Sequence, residues 1–320
     1  MGMKIDWRER LTLPVIAAPM FLVSGVELVL AQCRAGIVGS FPALNAKPAD
    51  ALDDWIARIK AGLDDNAAPF AVNLILNRGN ERLASDLDAC VRHEAPLVIT
   101  SLMPPGEVVG AVHGYGGLVF HDVTTIRHAR KAVGEGVDGL ILVCAGAGGH
   151  AGQLSPFALL QETRRFFDGP IALAGAITSG QAVLAAEVLG ADFAYVGTRF
   201  IVTRESLASP AYKRMIGGCT AADIVYTDAV SGIPGNDLWP SLAAVDLDPE
   251  TAASPVGQQP RYVASEARPK AWRDIWGAGQ GVGGIDDVPT VADCVRRMRQ
   301  EYDAARERHV RPAGAKSADA

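Results

Sequence analysis

One histidine of the sequence lies in a glycine-rich segment that could present its imidazole for proton transfer. The segment CAGAGGHAG spans residues 144–152, directly after an apolar run, and places His150 among four glycines. A histidine with a purely structural role usually lies among packing residues rather than between glycines. Because imidazole titrates near neutral pH, His150 is our candidate to take up or donate a proton, or to hydrogen-bond an anion. The alternative is a histidine that only fixes the loop.

Small residues follow two later apolar runs in a way that suits a bound phosphate group. Such residues let backbone N–H groups approach a dianion, and a helix that begins there adds a favourable dipole. In our interpretation Thr178 and Ser179 form the N-cap of the first of these helices. The alternative is that the glycines only serve tight turns. The candidate phosphate-binding residues are Gly175 and Ala176 after one run, and Gly197 and Thr198 after the next.

Three further segments carry groups suited to a flat heterocycle. The first apolar run ends with Ala18, Pro19 and Met20, which would present main-chain groups and a soft side chain to one face of an aromatic ring. We place Asn73 at the end of the third strand, where its amide could bond a heterocycle edge or a polyol, or simply cap a turn. Gln280 lies in a second glycine-rich segment, GAGQGVGG, which is either a cofactor contact or a flexible linker.

Four other side chains are weaker candidates. His121 comes near the end of the fifth run, where a site residue and a hydrogen-bonded strand residue are both compatible with the pattern. Cys144 has no base adjacent in the sequence, so a role as nucleophile is disfavoured. Trp272 and Trp276 are four residues apart, and we predict that they pack on one helical face in the core rather than stack on a substrate.

The elements that must position these groups are eight apolar runs that alternate with helical patterns. The runs are continuously apolar, which is typical of strands buried on both faces. Eight parallel strands separated by helices favour an α/β fold of the (β/α)8 TIM barrel type, whose functional residues lie on the loops after the strands. An open, doubly wound sheet is the alternative, and the absence of GxGxxG after the first run weakens it. The runs are 14–20, 36–41, 70–76, 97–102, 117–123, 137–143, 170–175 and 192–197, and the helical patterns are 26–35, 49–62, 81–93, 124–136, 155–167 and 179–190.

This alternation stops near residue 205, where a different organisation begins. We predict that residues 1–205 and 265–312 form the barrel, and that residues 206–264 form a smaller inserted substrate or lid domain. Within the second barrel segment, residues 289–308 have the pattern of an amphipathic helix that packs back on the barrel. Residues 313–320 are predicted to be a flexible tail.

Composition and charge exclude several classes of function. The chain has 320 residues with 30 basic and 36 acidic side chains, and no Lys/Arg run exceeds two residues, so nucleic-acid binding is not indicated. No apolar stretch reaches the roughly 18 residues of a membrane-spanning helix, and the N-terminus has no apolar signal core. The five cysteines are scattered without a CxxC pair, so we expect reduced thiols, no metal site and a cytoplasmic location.

Taken together, the motifs resemble those of the nitronate monooxygenase family, formerly called 2-nitropropane dioxygenases. The resemblance rests on AAPM in the first run, FAVNL in the third, GAGGHAG after the sixth, and AGAITSG and YVGTRF at the last two. It continues through SGIPGN and WGAGQG, so it covers most of residues 13–285. These motifs in this order are specific to a superfamily of flavin-binding barrels, and less specific to one activity within it.

The resemblance implies a TIM barrel that holds FMN, with a smaller substrate domain. It places His150 at the position of the family's active-site histidine. In the family some members carry a lysine beside the flavin where this chain has Asp122, and the phosphate loop here has Ala-Gly-Ala in place of the commoner Gly-Gly. By resemblance the cofactor-binding residues are Ala18, Pro19, Met20 and Asn73 at the isoalloxazine or ribityl chain, Gly175, Ala176, Gly197 and Thr198 at the phosphate, Gln280 and Gly281 near the ring, and Gly149 in the histidine loop.

The function implied is the FMN-dependent oxidation of alkyl nitronates by O2 to a carbonyl compound and nitrite. Its partners would be a small-molecule nitronate and O2, and a homodimer is compatible with the sequence. In this scheme a protonated His150 would attract the nitronate anion, or a neutral His150 would remove the α-proton of a nitroalkane. The alternatives are an NAD(P)H-dependent flavin reductase of the same superfamily, resembling an enoyl-acyl-carrier-protein reductase or quinone reductase, an aldolase or isomerase without FMN, and a non-catalytic binding protein. The absence of a lysine at the strand ends disfavours a Schiff-base enzyme among these.

Overall fold

Eight parallel β-strands form the centre of the protein. The structure, a computed structural model, describes residues 6–248 and 272–310. Each predicted apolar run coincides with one barrel strand to within a few residues, so the prediction of eight strands is confirmed. The barrel strands are β1 (Val15–Ala17), β2 (Gly39–Pro42), β3 (Phe70–Leu76), β4 (Leu97–Leu102), β5 (Leu118–Val123), β6 (Gly139–Val143), β8 (Ile171–Ala174) and β9 (Phe193–Val196), while β7 (Gly149–His150) belongs to a second sheet.

The barrel closes between its first two strands in the chain. The strand order is β1-β9-β8-β6-β5-β4-β3-β2, and every neighbouring pair is parallel. A parallel bridge between Ile16 and Val38 joins β1 to β2, with the Ala17 N–H donating to the Val38 carbonyl at 2.8 Å. The predicted (β/α)8 barrel is therefore confirmed.

Helices follow the strands and cover the outside of the barrel. The six predicted helical patterns all form helices. The helix Gly106–His113 was not predicted, because its two glycines and the preceding proline pair mask its apolar face. The helices are α1 (Val26–Arg34), α2 (Ala51–Gly62), α3 (Leu83–Arg92), α4 (Gly106–His113), α5 (Ile126–Gly134), α6 (Pro156–Arg164), α7 (Gly180–Leu189), α8 (Thr198–Ile201), α9 (Pro210–Gly217), α10 (Trp239–Ala243) and α11 (Val291–Val310).

Two apolar cores explain why the strands read as continuous apolar runs. Successive side chains of a strand point to opposite faces, so one set fills the barrel and the other packs under the helices. On β5, for example, Phe120 lies inside the barrel, whereas Val119 and Val123 belong to the core beneath the helices. Ile141 and Phe193 are also in the inner core.

A small antiparallel sheet attaches the segment after residue 205 to the barrel mouth. Strand β10 (Ile224–Thr227) pairs with β11 (Gly235–Leu238), and β11 pairs in turn with β7. Within that second pair, Gly235 is opposite His150. The loop that carries His150 is therefore a strand of a sheet, rather than the flexible loop that its glycines suggest.

The C-terminal helix α11 packs against α1 and α7, as the pattern over residues 289–308 predicts. The predicted tail at 313–320 and residues 249–264 of the predicted insertion lie outside the described residues. Within residues 6–248 and 272–310, no helix has the length and apolar character needed to cross a membrane.

Candidate active site

A cavity of about 920 Å³ opens at the carboxyl ends of the barrel strands. It is the place where barrel enzymes carry their functional groups. Gln280 lies just behind the wall, where its backbone N–H donates to the Gly146 carbonyl at 2.9 Å. The predicted site residues that line the cavity are Ala18, Pro19, Met20, Asn73, Gly149, His150, Gly175, Ala176, Gly197, Thr198 and Gly281.

His150 is held at the cavity wall by two side chains that are distant in the sequence. Its Nε2 atom lies 2.9 Å from the hydroxyl oxygen of Ser231. The ring of Trp272 packs edge-on against the imidazole, with the ring centroids 5.4 Å apart. Nδ1 of His150 has no hydrogen-bond partner among the described residues, so this nitrogen is available to a ligand in the cavity.

Burial keeps the imidazole of His150 neutral at neutral pH. Desolvation disfavours the charged ring and lowers the pKa of His150 below its ordinary value of 6.5. A neutral imidazole accepts a proton, whereas a cation attracts an anion. The lowered pKa therefore favours His150 as a general base over His150 as a source of positive potential.

The backbone of the histidine loop is fixed by the segment that follows Trp276. The Gly146 carbonyl oxygen accepts hydrogen bonds from the N–H groups of Ala176, at 3.2 Å, and Gln280. Gly148 packs so closely that a Cβ there would lie 2.7 Å from the backbone nitrogen of Gly279. Two separate segments, one containing Ala176 and one containing Gly279 and Gln280, thus meet at this loop and position His150.

The loops after β8 and β9 form the side of the cavity predicted to bind phosphate. Thr198 Oγ1 accepts a hydrogen bond from the Gly279 N–H at 2.9 Å, which leaves its hydroxyl proton free to donate. Ala176 adopts a left-handed backbone with φ of 55°. Because its N–H donates to Gly146, that group is already occupied within the protein.

The N-terminus of α7 is taken by another part of the protein. Ser179 caps the helix as predicted, with its hydroxyl accepting from the Ala182 N–H at 3.2 Å. The next free donor, the Gly180 N–H, donates to the Glu301 carboxylate of α11 at 2.7 Å. The helix dipole of α7 therefore stabilises Glu301, and it is the backbone of the loops, rather than this helix, that faces the cavity.

Four polar side chains form the bottom of the cavity, here called the polar floor: Asn73, Ser101, Asp122 and Tyr195. Asn73 lies in the middle of β3 and not at its end, because the strand continues to Leu76. Its amide donates to the Ser101 hydroxyl at 2.9 Å, and Ser101 donates to Asp122 Oδ2 at 2.7 Å. Donation therefore runs in one direction through these hydrogen bonds, from the Asn73 amide through the Ser101 hydroxyl to the Asp122 carboxyl.

The polar floor has two buried oxygen atoms without a hydrogen-bond partner among the described residues. They are Oδ1 of Asp122 and the phenol oxygen of Tyr195. Burial raises the pKa of Asp122 to about 7, against the opposing effect of the Ser101 hydrogen bond. Burial, followed by the nearby Asp122 charge, raises the pKa of Tyr195 well above 10, so the phenol remains protonated.

The remaining candidates take structural positions. His121 is buried on β5 and its Nδ1 lies 2.8 Å from the Thr100 hydroxyl, while desolvation lowers its pKa to about 4. Cys144 is a buried thiol whose pKa burial raises to about 12, which leaves it unreactive. The prediction of a shared helical face for the two tryptophans is wrong: Trp276 stacks on Tyr212 with ring centroids 5.0 Å apart, whereas Trp272 lines the cavity.

Sequence reasoning missed Ser101, Tyr195, Ser231 and Trp272 as site residues. A signal existed for Tyr195, because it lies two positions after Phe193 and so shares the inner face of β9. Ser231 stands in the SGIPGN motif, but its contact with His150 depends on the pairing of β7 with β11. In the described part of the chain, no group of three or more His, Cys, Asp or Glu side chains is arranged to hold a metal ion.

Comparison with known proteins assigns the chain to a family. The sequence profile of the nitronate monooxygenase family matches residues 80–301, more than half of the chain, and the protein belongs to this family. A nitronate monooxygenase of Pseudomonas aeruginosa is 29% identical over 342 residues, covering 90% of this chain and 95% of that protein. A nitronate monooxygenase of Paraburkholderia phytofirmans is 25% identical, covering 92% of this chain and 94% of that protein.

Other relatives carry different names. An octahydro-indene-carboxyl-CoA dehydrogenase of Mycobacterium tuberculosis is 29% identical over 233 residues, covering 72% of this chain. The match to this dehydrogenase spans 64% of the dehydrogenase's length. The match to a second relative from the same organism spans 61% of that relative's length. Two solved structures share the fold at 24% identity: a nitroalkane oxidase from Streptomyces ansochromogenes, with a TM-score of 0.76 over 94% of this chain and 99% of that chain, and FabK from Thermotoga maritima, with 0.77 over 95% and 96%.

Proposed function

We propose that this protein is an FMN-dependent oxidoreductase that converts nitroalkanes and their nitronates into carbonyl compounds and nitrite with O2. The observation that carries the proposal is the position of His150, an imidazole kept neutral by burial at the wall of the barrel-mouth cavity. Membership of the nitronate monooxygenase family supports the class of reaction.

The size of the cavity supports a bound flavin mononucleotide in this proposal. Its volume of about 920 Å³ lies in the range of about 300–1,000 Å³ that is usual for ligand and cofactor sites. The polar floor lines this cavity, and a Cβ at Gly197 would be in van der Waals contact with Ala18 Cβ at 3.5 Å and Met20 Sδ at 3.8 Å. Enzymes of this family are generally flavin-dependent. In this proposal Gly175, Gly197, Thr198 and Gly281 hold the phosphate, and Ala18, Pro19, Met20, Asn73, Gly149 and Gln280 contact or support the rest of the cofactor.

His150 would act on the carbon next to the nitro group. Its Nδ1 accepts the α-proton, and the electron pair of the broken C–H bond moves onto the nitro oxygens to give the nitronate. Bound FMN supplies the electron transfer and the reaction with O2 that replace the C–N bond by a carbonyl and release nitrite. Trp272, Tyr226 and Pro234 line the cavity beside His150 and would shield the substrate from water.

The segment after the barrel strands serves this chemistry as a cover in our proposal. Tyr212, Tyr226 and Ile233, all within residues 206–264, line the cavity. This supports the division into a barrel of residues 1–205 and 265–312 and a substrate domain of residues 206–264. A homodimer and a cytoplasmic location stay predictions, and size-exclusion chromatography with light scattering tests the first.

The test is a visible spectrum of the purified protein, followed by anaerobic additions of ethylnitronate and, separately, NADPH. FMN absorption that is bleached by ethylnitronate, with nitrite released once air is admitted, is the expected result. Rapid bleaching by NADPH alone would instead identify a flavin reductase, the activity class of the strongest alternative. A colourless protein that does not bind added FMN would refute both functions.

A further inference from the structure

The Asp122 carboxyl is an acidic group of the cavity that is only partly compensated by hydrogen bonds. Ser101 donates one hydrogen bond to its Oδ2, and its Oδ1 is sealed from solvent without a partner among the described residues. A carboxylate in such a position costs free energy unless it is neutralised by a proton or by a nearby cation. The described residues that line the cavity include no lysine or arginine.

The groups that face Asp122 from the surrounding elements are mostly uncharged. Asn73 and Ser101 come from β3 and β4, Val143 from β6 and Tyr195 from β9, and the phenol of Tyr195 stays protonated. Two histidines line the same cavity, and burial lowers the pKa of both His150 and His128. The other titratable groups of the cavity wall are Tyr212 and Tyr226, whose pKa values burial raises.

Neutral surroundings make Asp122 sensitive to any negative charge that enters the cavity. A like charge nearby disfavours the carboxylate and therefore promotes uptake of a proton. We propose that Asp122 takes up a proton when the bound flavin is reduced, and so compensates within the cavity floor the negative charge that reduction brings. This inference rests on the proposed binding of FMN and not on the identity of the substrate.

Protons and electrons balance as follows at a pH where Asp122 is ionised before reduction. Two electrons from the reductant and one proton from solvent enter the flavin ring, and a second proton from solvent binds the Asp122 carboxylate. Reoxidation releases both protons. When the ring alone takes up a proton, the midpoint potential of bound FMN falls with pH at a certain slope. When Asp122 takes up a second proton, that slope doubles.

The experiment measures the midpoint potential of FMN bound to the full-length protein between about pH 6 and 9, with dithionite as the reductant. The wild type is expected to show the steep, two-proton dependence above pH 7, where Asp122 is ionised before reduction. Asp122→Asn cannot titrate and keeps an acceptor for Ser101, so it is expected to show half that slope. Counting protons with a dye in weak buffer at pH 8 should give one proton fewer per flavin in this variant.

Asp237→Asn is the matched control. Asp237 is also buried, with its pKa raised by burial to about 7, but it does not line the cavity. Its variant should keep the slope and proton count of the wild type. Ser101→Ala removes a hydrogen bond that favours the carboxylate and is expected to move the steep region to higher pH, which gives a second measurement if Asp122→Asn does not fold.

Each outcome decides the inference. Equal slopes and equal proton counts in the wild type and Asp122→Asn would refute it, as would a steep region that Ser101→Ala leaves in place. Failure of the wild type to bind FMN would instead refute the proposed function. A wild-type protein that shows the two-proton uptake but does not oxidise nitronates would support the role of Asp122 and refute the proposed substrate.

Discussion

The Nε2 atom of His150 lies 2.9 Å from Oγ of Ser231, which stands 81 residues later in the chain. The same Oγ lies 3.2 Å from the Ile233 carbonyl oxygen, to which the serine hydroxyl donates. The one hydroxyl proton is then used, so the imidazole donates from Nε2 and its Nδ1 carries the lone pair. Ser231 thereby fixes the tautomer in which the unpartnered nitrogen of His150 can accept a proton.

Ser231→Ala removes the group that fixes this tautomer. We expect kcat/KM for a neutral nitroalkane to fall about 5- to 10-fold, the value of one hydrogen bond of about 1 kcal/mol. Oxidation of preformed ethylnitronate, which needs no proton abstraction, should change little. Ser231→Thr keeps a hydroxyl and should restore the nitroalkane activity and its pH profile. An equal loss with both substrates would show that Ser231 serves only the structure of the small sheet.

His150→Gln replaces the base by an amide that cannot accept the α-proton. The rate with nitroethane is expected to fall by about 10²- to 10⁴-fold, the usual contribution of a general base. With ethylnitronate the loss should be far smaller, because the anion is supplied already formed. FMN content, measured by absorbance, serves as the control for folding. Parallel losses with both substrates would favour a role for His150 in binding the anion.

The barrel was predictable because its signal is local. The barrel strands are largely buried on both faces, so runs such as residues 97–102 and 137–143 are mostly apolar whatever the final register, with Thr100, Ser101 and Asp138 as the exceptions. The position of the histidine loop was predictable for a similar reason, since residues 144–152 directly follow the sixth strand along the chain. Both features need only the order of elements in a barrel.

The rest of the site depends on contacts that no local pattern encodes. The pairing of β7 with β11 turns the histidine loop into a strand and brings Ser231 to His150. We predicted that Asn73 ends the third strand because polar residues often end strands, but β3 continues to Leu76. The spacing of Trp272 and Trp276 fits a helix, but a φ of 68° at Trp272 breaks that path and brings its indole to Gly149.

The raised pKa of Asp122 also affects the stability of the fold. A carboxyl whose pKa rises from 3.8 to about 7 on folding contributes stability that is complete below about pH 3.8 and is lost as the pH rises through about 7. Asp122→Asn removes this loss. Relative to the wild type, its free energy of unfolding should therefore increase between pH 5 and 8.5, by about 3 kcal/mol at 1.36 kcal/mol per pKa unit over the two units from pH 5 to 7.

Urea denaturation at several pH values measures this difference. Asp237→Asn should show a similar trend, because burial raises the pKa of Asp237 to about 7 as well. A constant difference between Asp122→Asn and the wild type across this pH range would mean that the folded carboxyl titrates near its ordinary value.

The start of α7 lies directly against α11, and glycine is required there by close approach. A Cβ at Gly180 would lie 1.8 Å from the carbonyl oxygen of Met298 and 2.5 Å from the backbone nitrogen of Tyr302. Gly180→Ala must push α11 away from the barrel and weaken the bond from the Gly180 N–H to Glu301. We expect a loss of about 3 kcal/mol in the free energy of unfolding, measured by urea denaturation.

Gly110→Ala is the matched control, because Gly110 is inside α4 and a Cβ there would meet no atom within 4 Å. Alanine is the better helix former, so this variant should gain about 0.5–1 kcal/mol. The two substitutions should change the free energy of unfolding in opposite directions, which distinguishes the effect of close packing from that of helix propensity. If Gly180→Ala were as stable as Gly110→Ala, α11 would be able to shift without cost, and its contact with α7 would contribute little to holding the barrel closed around the cavity.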